Sequence, residues 1–154
     1  MQEKLLYRRF GDYGIKLTRL ILNQEIMGLS SLMERVSKAK VKDCFTDEEG
    51  TIYFVVAPGD LGKAIGKGAS NIKRLQQELQ RKIRVIEYSE NVAEFIKNII
   101  YPLRIQSITE EQETVVIKET NKKAKSLLMG RQGRNLKLIN RAVKRFFPHQ
   151  IKVV

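Results

Sequence analysis

The sequence predicts an α+β fold built from two copies of one unit, each with three helices and three strands. Three observations predict it. Gly66 and Gly130 lie 64 positions apart, and at the same offset Ile65 matches Met129, Asn71 matches Asn135, Ile72 matches Leu136, Leu75 matches Ile139 and Leu79 matches Val143. The matched apolar positions after each glycine step by three and then four, which places them on one side of a helix facing a core. The segments ahead of each glycine also follow one order: an amphipathic helix, two β-rich runs and a short helix.

The elements can be justified in turn. Asn23 is a cap for a helix whose apolar stripe is Ile26, Leu29, Leu32, Met33 and Val36. "KVKDCF" and "TIYFVVA" read as strands joined by the acidic turn "TDEEG", and "KIRVIEY" is a third strand after the loop helix. In the second copy Asn91 caps a helix carrying Phe95, Ile96, Ile99 and Ile100, which Pro102 ends. "LRIQSI" and "TVVIK" are the next strands, around the acidic turn "TEEQE", and "QIKVV" closes the chain. The boundary falls near Ser89–Asn91, giving units over residues 23–90 and 91–154 behind an extension of residues 1–22, where "GIKLTRLIL" is a further strand candidate. No Gly/Pro/Ser-rich linker marks that boundary. Units of about 65 residues are marginal alone, so close packing of the two is expected.

Charge narrows the function. The 154 residues carry 29 basic and 17 acidic side chains, a net charge of +12 and a pI near 9.9. An anionic partner follows, nucleic acid ahead of a membrane surface. No apolar run approaches the ~18 residues of a membrane span, and "MQEKLLYRRF" holds no signal-peptide core. The expectation is a soluble, cytoplasmic protein that does not engage membranes. From Lys118 to Arg145 there are ten basic residues and one acid, Glu119, whereas Val85–Ile117 has six acids and two bases. That asymmetry predicts acidic hairpin turns lying away from the glycine loops.

Catalysis has little to work with. One cysteine, Cys44, excludes an intramolecular disulfide, and with one histidine, His149, no four-ligand Cys/His zinc site can form. Cys44 reads as a buried core thiol and His149, after Pro148, as a turn residue. A binding protein with no metal, no cofactor and no catalytic residue is expected.

The glycine loops carry the binding argument. A helix N-terminus offers amides and a partial positive charge, and glycine lets another backbone approach, so the two together suit a phosphate. The candidates in the first loop are Gly66, Lys67, Gly68, Ala69, Asn71 and Lys73. In the second they are Gly130, Arg131, Gln132, Gly133, Arg134, Asn135, Lys137 and Arg141, with Arg134, Lys137 and Arg141 on the polar side of the helix. Asn71 and Asn135 either meet the ligand or brace their loops. A P-loop is excluded because Leu61, not glycine, stands five residues before Gly66. The dinucleotide fingerprint is absent as well.

A hydrophobic residue, Gly-x-x-Gly, a polar residue, Asn and an aliphatic, here "MGRQGRNL" (Met129–Leu136), resembles the signature loop of KH domains. Together with "VKDCF" (Val41–Phe45), "GDLGKAIGKGASNIKRL" (Gly59–Leu75) and "EFIKNIIYP" (Glu94–Pro102), residues 23–154 resemble the KH region of the NusA family in its short archaeal form. The resemblance implies two tandem type II KH domains, each a small mixed three-stranded sheet covered by helices on one face. It implies single-stranded RNA as partner, with about four nucleotides on each loop and bases against an aliphatic groove. In the first copy the groove would be Ile65, Ile72 and "IRVI"; in the second, Met129, Leu136 and "IKVV". A role in transcription elongation or termination follows, with RNA polymerase or an elongation complex as a further partner and a monomer as the expected state. The alternatives are a KH-type ribosomal or ribosome-assembly component and a helix-turn-helix DNA binder, the latter opposed by the strands around each loop. The first loop departs from the pattern, because Ala69 stands at its second glycine position. The second loop is therefore expected to bind more strongly.

Overall fold

The computed structural model describes residues 24–154. The proposed cap Asn23 and the strand candidate "GIKLTRLIL" lie outside the described residues. The chain divides into two compact units, the described residues up to Val55 with Gly62–Val85, and Val56–Leu61 with Ile86–Val154.

The chain is helical from residue 24 to 37 (α1). Leu29 and Met33 on its stripe are buried. Ser37 ends α1 by turning its hydroxyl back: it donates to the Met33 carbonyl at 2.6 Å and accepts from the Ala39 amide at 3.1 Å. Strands β1 (Val41–Thr46) and β2 (Ile52–Val56) follow as a hairpin. Asp47 organises its turn: Oδ1 accepts from the Glu49 and Thr51 amides at 2.9 Å, and Oδ2 accepts from the Tyr53 hydroxyl at 2.9 Å. After α2 (Leu61–Ile65), a single 3-10 turn (Lys67–Ala69) and α3 (Ser70–Leu79), β3 (Ile83–Glu87) joins the other side of β2. Ile52 N donates to Lys82 O and Tyr88 N to Val56 O, so β2 and β3 run parallel and the sheet is mixed.

The same order returns in α4 (Val92–Ile100), β4 (Ser107–Glu111), β5 (Thr114–Lys118), α5 (Lys122–Met129), a 3-10 turn (Arg131–Gly133), α6 (Arg134–Phe146) and β6 (Gln150–Val153). β4 pairs antiparallel and β6 parallel with β5, giving a second mixed sheet of order β4-β5-β6. Asn91 caps α4, its side chain accepting from the Glu94 amide at 3.0 Å. Phe95, Ile96 and Ile99 are buried; Ile100, expected in that stripe, is half-buried, and Val92 is buried in addition. Tyr88, Phe95, Phe146 and Phe147 form an aromatic cluster with ring centroids 4.8–6.1 Å apart. Burial of each large core side chain contributes roughly 1.5–3 kcal/mol.

The expected bounds of the second hairpin are corrected. The acidic segment expected as a turn, "TEEQE", is mostly strand, and Leu103–Gln106 is not part of β4. The physical reason is a two-residue turn: Gln112 takes a left-handed φ of 57°, so Glu111 pairs directly with Thr114. Coverage on one face fits β5, where buried Val115 and Ile117 alternate with half-buried Thr114 and Val116 and exposed Lys118. β2 is buried at all five positions, so both of its faces are shielded. On one of them Tyr53 stacks on Phe45 at 5.1 Å, with the Arg84 guanidinium 5.7 Å above the Tyr53 ring. His149 lies in the connection between α6 and β6, as expected, and is held there: its ring packs edge-on against Phe147 at 5.9 Å, and its Nε2 lies 2.8 Å from Glu110 Oε1 on β4.

Candidate nucleic-acid interface

Each glycine loop is one tight turn between two helices, closed by the same bonds. In the first, Gly66 N donates to Gly62 O at 2.9 Å and Ala69 N to Gly66 O at 3.1 Å. In the second, Gly130 N donates to Ser126 O at 2.9 Å and Gly133 N to Gly130 O at 3.1 Å. Every partner lies at the 64-residue offset of the sequence repeat.

The asparagines act as braces. Asn71 Nδ2 donates to Lys63 O at 2.9 Å, and Asn135 Nδ2 to Leu127 O at 2.8 Å. Each amide thus ties the start of the long helix to a carbonyl of the preceding short helix. The brace also explains the leading glycine. A Cβ on Gly66 would sit 2.8 Å from Ser70 Oγ and 2.9 Å from Asn71 Cγ; on Gly130 it would sit 2.8 Å from the Asn135 backbone nitrogen. Gly66 and Gly130 are therefore packing residues beneath the loop.

The other loop positions face outward. Lys67, Gly68, Arg131 and Gln132 are exposed, and Ala69 and Gly133 are half-buried. A Cβ on Gly68 or Gly133 would meet nothing within 4 Å. Both turns require left-handed backbone at two successive positions, Gly68 (φ 62°) with Ala69 (φ 59°), and Gln132 (φ 58°) with Gly133 (φ 72°). Each loop thus places one non-glycine residue there, at a cost of roughly 1–2 kcal/mol.

The helices behind the loops differ from the others in the second unit. α4 and α5 have asparagine caps, Asn121 accepting from the Ala124 amide at 3.0 Å in α5. No side chain caps α3 or α6, and neither has an acidic residue in its first turn. Their N-terminal dipole stays open to an anion. Along α6, Lys137 and Arg141 are exposed and Arg134 is half-buried, while Ile139 and Val143 are buried. On α3 Lys73 is exposed, and Arg74 is paired with Glu78 at 3.2 Å.

Of the groove candidates, Ile83 and Ile86 are buried core. Ile65, Ile72, Val85, Met129, Leu136, Ile151 and Val153 are half-buried, apolar but reachable. Cys44 is buried, and burial together with Asp43 pushes its thiol up to about 12, so it stays a thiol at neutral pH. Among the described residues no group of three or more His, Cys, Asp and Glu side chains could hold a metal ion, and no helix is long and apolar enough to cross a membrane.

A glycine turn between short and long helices beside a mixed three-stranded sheet defines a KH fold, and residues 29–106 match the KH domain model. That match includes the first loop and ends before the second. A "Probable transcription termination protein NusA" of Methanococcus vannielii is 38% identical over 128 residues, covering 81% of this chain and 72% of its own. Its counterpart in Methanocaldococcus jannaschii is 30% identical, covering 81% and 69%. The crystal structure of APE1850 superposes with a TM-score of 0.69 at 27% identity, covering 85% of this chain and 99% of its own. The chain belongs to the archaeal NusA-like KH proteins.

Proposed function

We propose that the chain is a single-stranded RNA-binding protein of transcription, acting in elongation or termination, with RNA polymerase or an elongation complex as its second partner. It consists of two tandem type II KH domains, residues 23–90 and 91–154, behind an extension of residues 1–22. The observation that carries the reading is the duplicated turn: two identically bonded loops, outward-facing at their middle positions, each opening a helix that no side chain caps. A ribose-phosphate strand meets the loop amides first. Lys67 and Lys73, or Arg131, Arg134, Lys137 and Arg141, then neutralise its phosphates. The half-buried aliphatics receive the bases. The second loop dominates, because Gly133 offers bare backbone where Ala69 presents a methyl group. The relatives' name supports the transcriptional role.

Binding to single-stranded RNA measured across a salt series tests this. Neutralisation of about five phosphates gives a slope of log K against log salt of roughly −3.5. A flat dependence, or preference for duplex DNA over single-stranded RNA, refutes the proposal.

A further inference from the structure

Tyr101 does not belong to the glycine loops, yet among the described residues it is the one exposed Phe or Tyr, at 75% of its surface. It stands just past the C-terminus of α4 with extended backbone, φ −50° and ψ 137°, as the residue before Pro102 must. Beside it is a cavity of about 510 Å³ lined by Pro102, Leu103, Ile105 and Ile108 on its apolar side and by Lys97 and Arg104. The lining contains no carboxylate. Lys97 pairs with Glu94 at 3.0 Å, both more than half exposed, a contact worth little and easily exchanged for another anion. Gln106 is oriented: Thr120 Oγ1 donates to its Oε1 at 2.9 Å, which leaves the two Nε2 hydrogens as donors.

An exposed aromatic ring, a lining with two cations and no carboxylate, and an oriented amide donor are what a nucleotide requires. Resting on the RNA-binding reading above, we propose that this groove holds one nucleotide of the same RNA outside the segment on the glycine loops. Its base stacks on Tyr101 and presents an acceptor edge to Gln106, and its phosphate lies on Arg104. A protein partner would have to bring its own acidic group to Lys97 and Arg104, whereas RNA supplies the anion and a base for the ring in one nucleotide.

Anisotropy titrations with RNA of about four and about twelve nucleotides test it, using wild type, Tyr101→Ala, Tyr101→Phe and Gly133→Asp. Tyr101→Ala is expected to weaken the longer RNA about tenfold and leave the shorter unchanged, while Tyr101→Phe binds both like wild type. Ultraviolet crosslinking of the longer RNA then modifies the Tyr101 peptide. Unchanged affinity of Tyr101→Ala for the longer RNA, with normal circular dichroism, overturns the proposal, as does an equal loss in Tyr101→Phe. Loss of polymerase co-purification in Tyr101→Ala with RNA binding intact assigns the groove to a protein and overturns it too. If Gly133→Asp loses the shorter RNA while Tyr101→Ala changes nothing, only this proposal falls. If wild type binds neither RNA, the functional reading falls with it.

Discussion

The two glycine loops share one hydrogen-bond skeleton and place their glycines differently. In Gly66-Lys67-Gly68-Ala69 the bare left-handed position is the third; in Gly130-Arg131-Gln132-Gly133 it is the fourth. Strain does not separate them, since each holds one non-glycine residue at a φ near +60°. What separates them is where a side chain projects, and how much positive charge follows. The first loop leads into a helix with Glu78 paired to Arg74, and the second into a helix with no acid at all. The lesson is that the leading glycine serves packing, whereas the later ones decide where the outer side of the loop carries a side chain.

The comparison can be broken most severely at the leading glycines. Gly130→Ala is expected to cost about 2–4 kcal/mol, because the left-handed penalty is joined by a clash with the Asn135 backbone nitrogen. Gly66→Ala meets the Ser70 hydroxyl, which can swing away, and the bracing Asn71 amide, and is expected to cost less, about 1–3 kcal/mol. Denaturant unfolding of both variants reads the difference, and equal losses would show that the packing beneath the two loops is alike. Next come the braces. Asn71→Ala and Asn135→Ala each leave one carbonyl without its donor and are expected to cost about 1 kcal/mol, equally in the two loops. A twofold disparity in the same measurement would end the structural equivalence. The smallest effects belong to Ala69→Gly and Gln132→Gly. Relief of left-handed strain, partly offset by the greater freedom of glycine in the unfolded chain, gives a gain of up to about 1 kcal/mol in each. Thermal melts resolve it. Ala69→Gly is expected to raise RNA affinity as well, and Gln132→Gly is not.

Much of this was legible in the residues. The 64-residue offset located both loops, both loop helices and their buried faces, because helical packing and tight turns leave periodic, local signatures. The order of elements followed from the same signal. The start of β4 was not legible: its register depends on a two-residue turn at Gln112, and left-handed glutamine has no sequence signature. The pairing of His149 with Glu110 joins residues 39 apart in sequence, which no local pattern reports. The role of the asparagines was ambiguous for a physical reason, since an amide serves equally as cap, brace or ligand. One signal could have resolved it. Asn91 and Asn121 precede their helices as caps, whereas Asn71 and Asn135 lie inside theirs, where capping the N-terminal amides is out of reach. Tyr101 could have been singled out as well, as an aromatic residue directly before a helix-ending proline.

The central claim is that the duplicated turn holds the RNA backbone and that bare backbone at the fourth position makes the second loop dominant. Parallel titrations of a short single-stranded RNA against wild type, Gly133→Asp and Ala69→Asp test it most directly. The account predicts a loss of tenfold or more for Gly133→Asp, because a carboxylate would face a phosphate, and a smaller loss for Ala69→Asp. A larger loss from Ala69→Asp, or full affinity in both variants with their folds intact, would contradict it.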